Sequence, residues 1–211
     1  MPGLNKFFIT AIFKPWRHPE LYEEFRTRGV GFKTFLLLTV LGLGFSLTSI
    51  VQAACGHFPA VPVILPLRLE NYFVWQSLLA IPWIILSWVL VSLPVRGVLA
   101  LAGSSEIRLR QVLVWLGLGF SFSLFWLWLP HLLTAVLYLL GMSQKEWVDL
   151  MSQPGWFQTL YLVLTILALL GGFLSVNLSL TRRKQKGKAA GFLAAGVGFL
   201  FWLVGLAIFL R

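Results

Sequence analysis

The stretch FLLLTVLGLGFSLTSI, residues 35–50, has no charged side chain and only four hydroxyl-bearing ones. It lies within one of five long charge-free runs, which are residues 34–67, 71–95, 111–144, 150–181 and 189–210. Each run exceeds the roughly 20 apolar residues that a helix needs to cross a bilayer. Strands of a membrane barrel would alternate polar and apolar residues, and residues 35–50 and 161–170 do not. The pattern therefore predicts membrane-spanning helices.

The overall composition agrees with this prediction. Hydrophobic residues make up 58% of the 211 residues and charged residues 11%, whereas soluble domains average about 45–50% and about 25%. An aromatic content of 15% also excludes intrinsic disorder. A single cysteine excludes an internal disulfide. We therefore expect an all-α integral membrane protein.

Prolines and polar residues delimit the five spans within these runs. We place the spans at about 34–54, 72–95, 112–140, 157–180 and 189–210. Pro94 comes near the end of the second span, and Pro130 can kink the long third one. The sequence predicts one transmembrane domain over residues 34–211, preceded by a cytoplasmic amphipathic segment over residues 1–33.

The distribution of Lys and Arg predicts how the chain is threaded. Fourteen basic residues lie before span 1, between spans 2 and 3, and between spans 4 and 5. The opposite side has three, which are Arg68, Lys145 and Arg211. Because basic loops stay in the cytoplasm, the N-terminus is predicted to be cytoplasmic and the C-terminus outside. The expected location is the inner (cytoplasmic) membrane of a cell.

The segment before the first span carries a short predicted helix over residues 19–28. Pro19 suits its first position, and Gly29 can adopt the left-handed conformation that ends a helix. Leu21, Tyr22 and Phe25 share one face. We predict these three as a partner-facing surface. The alternative is that the segment anchors the first span in the headgroup layer, together with a second apolar stripe in residues 4–11.

The spans contain few polar groups that could support chemistry. None contains Asp, Glu or Lys, which argues against an ion-coupled transporter. The candidate intramembrane polar residues are Arg96, His131 and Asn177. Each has a structural interpretation: Arg96 can snorkel, His131 lies near the outer boundary, and Asn177 and Gln76 can hydrogen-bond across helices. Without a catalytic, phosphate-binding or metal-binding motif, we predict no enzymatic activity, no cofactor, no metal and no nucleic-acid partner.

Small residues recur along the last span. Ala190, Ala194 and Gly198 are spaced by four, as are Gly187, Gly191 and Ala195. Such stripes allow two helices to approach closely. We therefore predict Gly191, Ala194 and Gly198 as helix-packing residues. The neighbour is expected to be span 1 or span 4 of the same chain, or another subunit.

Two stretches resemble the bacterial branch of the Yip1 family of small five-span membrane proteins. One is PELYEEF at residues 19–25, just before span 1, and the other is GSSEIRLRQVL at residues 103–113, leading into span 3. Pro130 lies further along its span than that family's pattern suggests. The resemblance implies a five-span fold and threading, but no activity. It does not extend to the GTPase-binding role of eukaryotic members, because the segment before span 1 is short.

Taken together, these features predict a non-enzymatic membrane scaffold or accessory subunit. Its expected partners are phospholipids and another membrane protein or a second copy of itself. The alternative is a permease or channel-like subunit for a small or lipidic solute. A polar groove joining His131, Asn177 and Gln76 would favour the alternative, and a dry interior would favour the scaffold.

Overall fold

The computed structural model describes residues 3–27, 29–59, 68–104, 106–181 and 188–209. Within these ranges every regular element is helical. The α-helices are α1 Leu4–Phe13, α2 His18–Phe25, α3 Val30–Ala54, α4 Tyr72–Leu101, α5 Leu109–Leu139, α6 Gln144–Ser152, α7 Trp156–Thr181 and α8 Lys188–Phe209, with 3-10 turns at Pro15–Arg17 and Leu69–Asn71. Most of the basic loop between spans 4 and 5, residues 182–187, lies outside the described residues, as do Arg28 and Arg211.

Helices α3, α4, α5, α7 and α8 are long and apolar enough to cross a membrane. This confirms the prediction of five candidate spans, although α4 continues to Leu101 instead of ending near residue 95. Pro82 and Pro94 lie inside α4, so neither proline ends this helix. The helix predicted over residues 19–28 corresponds to α2, which is shorter and ends at Phe25. Gly29 has the expected left-handed conformation with a φ of 74°, but it precedes α3 and does not end α2.

Helix α5 forms the centre of the bundle, because 67% of its apolar window is buried against 28–50% for the other four spans. It packs against α3, α4 and α7, while α8 packs against α4 and α7. Helices α3, α5 and α8 run from an end that we call the N-terminal end towards an end that we call the α6 end. Helices α4 and α7 run back. The inter-helix hydrogen bonds follow this arrangement, for example Ser49 Oγ to Gln76 Oε1 at 3.0 Å between α3 and α4.

The crossing of α5 and α7 is close because glycines form it. A Cβ added at Gly172 would overlap the hydroxyl of Ser123 and come within 2.9 Å of the Phe199 ring. A Cβ at Gly119 would overlap Val176 and lie 3.1 Å from the carbonyl oxygen of Gly172. Ser123 Oγ also donates to the Ala168 carbonyl at 2.7 Å. The two helices therefore meet almost backbone to backbone.

The small residues of α8 pack inside the same chain, against one of the neighbours that we predicted and two that we did not. A Cβ at Gly198 would lie 2.6 Å from Val95 of α4 and 3.3 Å from Leu116 of α5, and Ala194 is fully buried. A Cβ at Gly191 would lie 2.7 Å from Thr181 of α7. The prediction is right for span 4 at Gly191 and wrong for span 1. Spans 2 and 3 occupy the Gly198 face because α4 and α5 lie between α8 and α3.

Helices α1 and α2 form a hairpin, joined by the turn Pro15–Arg17, that packs onto α5 and α7. The Tyr22 ring lies 5.5 Å from that of Trp115, and the Phe13 ring lies 5.4 Å from that of Phe125. His18 at the start of α2 is fully buried. Its Nε2 donates to the Ala11 carbonyl at 2.8 Å, while Nδ1 pairs with the hydroxyl of Ser175 in α7.

The prediction that α2 presents an exposed, partner-facing surface is therefore wrong. Leu21, Tyr22 and Phe25 are 3%, 6% and 2% exposed. Phe25 also meets Phe7 of α1 edge to face, with ring centroids 5.4 Å apart. The apolar stripe was read correctly, but the aromatic surface of α5 covers it. A stripe of this kind has the same spacing whether its partner is another protein or a later segment of the same chain.

Candidate functional site

A cavity of about 660 Å³ lies at the α6 end of the bundle. Its volume falls within the roughly 300–1,000 Å³ of small-molecule sites. Six helices, α3 to α8, and the segment after α3 supply its walls. The lining residues are Gln52, Pro59, Phe73, Leu127, Pro130, His131, Thr134, Tyr138, Trp147, Met151, Tyr161, Thr165, Leu169, Leu203, Leu206 and Ala207.

Helix α6 covers the cavity, and its start is well defined by local sequence. Ser143 Oγ accepts from the Glu146 backbone N–H at 3.3 Å, while the Ser143 N–H and hydroxyl donate to the Glu146 carboxylate at 2.7 and 2.8 Å. This reciprocal capping box satisfies groups that the first turn leaves open. The backbone N–H and then the hydroxyl of Ser143 hold the pKa of Glu146 below its ordinary value.

Aromatic contacts attach α6 to the spans beneath it. The Trp147 ring meets Tyr138 of α5 at 5.8 Å and Phe157 of α7 at 5.2 Å, in both cases edge to face. Offset and edge-to-face pairs stabilise beyond the area that they bury, by about 0.5–1.5 kcal/mol each. Trp147 and Met151 thus form a roof held over the cavity.

The segment after α3 is joined to the same roof. The His57 ring stacks on Tyr138 with centroids 3.5 Å apart, and its Nδ1 lies 2.8 Å from Gln144 Oε1. Gln144 Nε2 donates to the Phe58 carbonyl at 3.0 Å. One glutamine amide therefore connects the start of α6 to residues 57 and 58.

The cavity walls are apolar apart from a few uncharged polar groups. None of the described lining residues is Asp, Glu, Lys or Arg. The hydroxyl of Thr134 is satisfied by the Pro130 carbonyl at 2.9 Å. In contrast, the buried hydroxyl of Thr165 forms no hydrogen bond in the described part of the chain. His131 makes an edge contact with Phe45 at 5.5 Å and likewise has no hydrogen-bonding partner among the described residues.

The cavity is closed towards the N-terminal end. Below Leu127 and Leu169, the Phe120 ring of α5 stacks on Trp202 of α8 with centroids 4.3 Å apart. The glycine crossing of α5 and α7, described above, seals the other side of this layer. The cavity is therefore separated from the N-terminal end of the bundle by this layer.

The three candidate intramembrane polar residues do not form one site. His131 lines the cavity, whereas Arg96 lies in the last turns of α4 and Asn177 in the last turns of α7, both towards the N-terminal end of the bundle. The Oδ1 of Asn177 is buried without a hydrogen bond among the described residues, so its predicted bond across helices is not seen there. Gln76 does bond across helices, to Ser49. The tight layer around Phe120 lies between the two ends.

Sequence analysis missed most residues of the cavity, although the sequence contains one local signal for part of it. Ser143 and Glu146 have the spacing of a capping box, which indicates a helix between spans 3 and 4, where we had predicted no element. Trp147 and Met151 then follow on that helix. Thr165 gave no signal, because the sequence does not show whether a single threonine in an apolar span faces lipid or the interior of the bundle.

Comparison with known proteins adds no further assignment. No family model, curated protein or solved structure matches the chain. Within the described residues, no group of three or more His, Cys, Asp or Glu side chains is placed to hold a metal ion.

Proposed function

We propose that this chain is a non-enzymatic membrane protein whose cavity binds an uncharged, hydroxyl-bearing lipid such as a diacylglycerol or a long-chain alcohol. The observation that supports the proposal is the apolar cavity under α6, which does not continue to the N-terminal end of the bundle. Apolar walls suit hydrocarbon chains. The unsatisfied polar groups of His131 and Thr165 suit a single hydroxyl. A charged headgroup has no counter-charge among the described lining residues.

The alternative, a permease or channel-like subunit, receives less support. His131 and Asn177 lie towards opposite ends of the bundle, separated by the stacked rings of Phe120 and Trp202. A binding protein needs no path to the other end of the bundle, and a cavity that ends at this layer suits that role. A lipidic solute could cross only if this aromatic layer opened.

The wider role also belongs to this proposal. We propose a scaffold or accessory subunit in the inner membrane, with the N-terminus cytoplasmic and the C-terminus outside. What supports the threading is the fourteen-to-three asymmetry of basic residues. Membership of the Yip1 family is supported by the resembling residues 19–25 and 103–113. The proposed protein partner, or a second copy, rests on the sequence alone, since the helix predicted to face it is buried.

The cavity can be tested with a photoactivatable diacylglycerol added to the purified full chain in detergent. Thr165→Phe should fill the cavity and weaken labelling. If the new ring displaces two methylenes of the ligand, at about 0.8 kcal/mol each, the affinity falls about fifteenfold. Ile166→Phe is the matched control, because Ile166 is on the same helix and 47% exposed.

The label should also map to residues of α5, α6 and α7 by mass spectrometry of the digested protein. Equal labelling of both variants would contradict the proposal. So would a preference for phosphatidic acid over diacylglycerol at these positions, since the described walls offer no cation for a phosphate. Net movement of the lipid between leaflets of a reconstituted vesicle would support the permease instead.

A further inference from the structure

A second pocket, of about 370 Å³, lies at the N-terminal end of the bundle, opposite the apolar cavity. It is bounded by the end of α2, the start of α3, and the turn and first residues of α5. The lining residues are Tyr22, Arg26, Val30, Glu106, Arg108, Arg110, Gln111 and Val114. Its chemistry differs from that of the cavity, because half of these side chains carry a charge.

The pocket has an excess of positive charge. Three guanidinium groups face one carboxylate, that of Glu106. Arg26 also forms an ion pair with Glu23, with 3.6 Å between Arg26 Nη1 and the carboxylate. Across the part of the chain that the structure describes, no ion pair involves Arg108 or Arg110. These two guanidinium groups can therefore bind an external anion without first breaking an internal pair.

Local structure brings the arginines together. Arg108 precedes α5 with an extended backbone, and its N–H donates to Gln111 Oε1 at 2.9 Å. Arg110 lies along Gly31 of α3, its Nε 4.0 Å from where a Cβ at Gly31 would be. The docked hairpin supplies the third arginine, since Tyr22 and Val30 on either side of Arg26 are 6% and 2% exposed. The positive end of the α5 dipole adds to the same potential.

The position of the pocket indicates that its ligand comes from the membrane. The candidate spans of α3 and α5 begin at Val30 and Leu109, next to the pocket. A bilayer crossed by these helices has its headgroups at this level. The buried Tyr22, Val30 and Val114 add an apolar wall beside the arginines, which fits a glycerol backbone better than a fully hydrated ion.

We propose that this pocket binds the phosphate group of an anionic membrane lipid, held by Arg108 and Arg110 with Arg26 at the rim. Guanidinium groups suit phosphate because they can donate two parallel hydrogen bonds. Basic pockets between membrane helices bind anionic headgroups in this way. The site is separate from the apolar cavity, so either one can fail without the other.

The test is a titration of phosphatidic acid into the purified full chain in phosphatidylcholine-containing detergent micelles, followed by native mass spectrometry. Arg108→Gln with Arg110→Gln should weaken phosphatidic acid binding about thirtyfold, or roughly fivefold for each arginine. The matched control is Lys6→Gln with Arg17→Gln, which removes the same charge from exposed pairs with Glu24 and Glu20 outside the pocket. The control should bind within about twofold of the original chain.

Two further arms complete the experiment. Arg108→Lys with Arg110→Lys keeps the charge but loses the paired donors, so an intermediate loss is expected, and this variant remains informative if the glutamine variant does not fold. Equal binding by the glutamine variant and the control would overturn the proposal. Inorganic phosphate that binds as tightly as phosphatidic acid would also overturn it, because the ligand would then be a soluble anion.

Discussion

The crossing of α5 and α7 predicts that Gly172→Ala destabilises the protein, although alanine is the better helix former. The added methyl group would overlap the Ser123 hydroxyl and come within 2.9 Å of Phe199. Overpacking of this kind costs about 1–3 kcal/mol. The matched control is Gly196→Ala in α8, where a new Cβ meets nothing within 4 Å.

Comparing the two variants isolates the overlap. Both gain the same helix propensity, about 1 kcal/mol, so this gain cancels in the difference. Gly172→Ala should therefore be less stable than Gly196→Ala by about 2 kcal/mol. For a chain of this size, that corresponds to about 4–8 °C in apparent melting temperature. Intrinsic tryptophan fluorescence of the full chain during heating in a mild detergent measures it.

A double-mutant cycle tests the cause directly. Ser123→Ala removes the hydroxyl that the new methyl group would overlap, together with its 2.7 Å bond to the Ala168 carbonyl, which is worth about 0.6 kcal/mol in a membrane protein. The double variant should be more stable than the sum of the single effects by at least about 1 kcal/mol. Additive effects, or equal melting of Gly172→Ala and Gly196→Ala, would refute the close-crossing argument.

Three further predictions concern the hairpin, the last span and the threading. Burial lowers the pKa of His18 from near 6.5 to about 4, opposed in part by its bond to the Ala11 carbonyl. Because the unfolded chain binds more protons between these pH values, the free energy of unfolding should fall by up to roughly 3 kcal/mol as the pH drops from 6.5 to 4. His18→Asn should largely remove this pH dependence from chemical unfolding curves. Gly191→Leu should lower the melting temperature more than Gly196→Leu, because only Gly191 lies against Thr181; equal tolerance would contradict a packing role. A reporter fused after residue 211 should be active only outside the cytoplasm, and activity inside would rule out the five-span threading.

The spans were predictable from sequence because the bilayer imposes one requirement on each of them separately. A helix must be about 20 apolar residues long whatever it packs against, so charge-free runs locate the spans without knowledge of neighbours. Even the extension of α4 past Pro94 changes only where a helix ends. Spacing alone also identified Ala194 and Gly198 as packing residues.

What the sequence did not predict depends on which surfaces meet. The stripe of Leu21, Tyr22 and Phe25 was visible, but its partner is Trp115 and its neighbours, some 90 residues later in the chain. The cavity also has no local pattern, since Gln52, His131 and Thr165 come from three helices. Apolar spans carry almost no periodic signal, because lipid and protein interior are equally apolar. Only the capping box of α6 was a local signal that could have located part of the site.

The burial of His18 against Ser175 has a consequence for the order of assembly during synthesis. The two residues are 157 positions apart, so the hairpin leaves the ribosome long before the helix on which it docks. At about 5–20 residues per second, the hairpin waits roughly 8–30 seconds at the membrane surface before α7 exists. Its complete attachment thus requires that α5 and α7 have both been inserted, and a chain interrupted before α7 would leave His18 without its Ser175 partner.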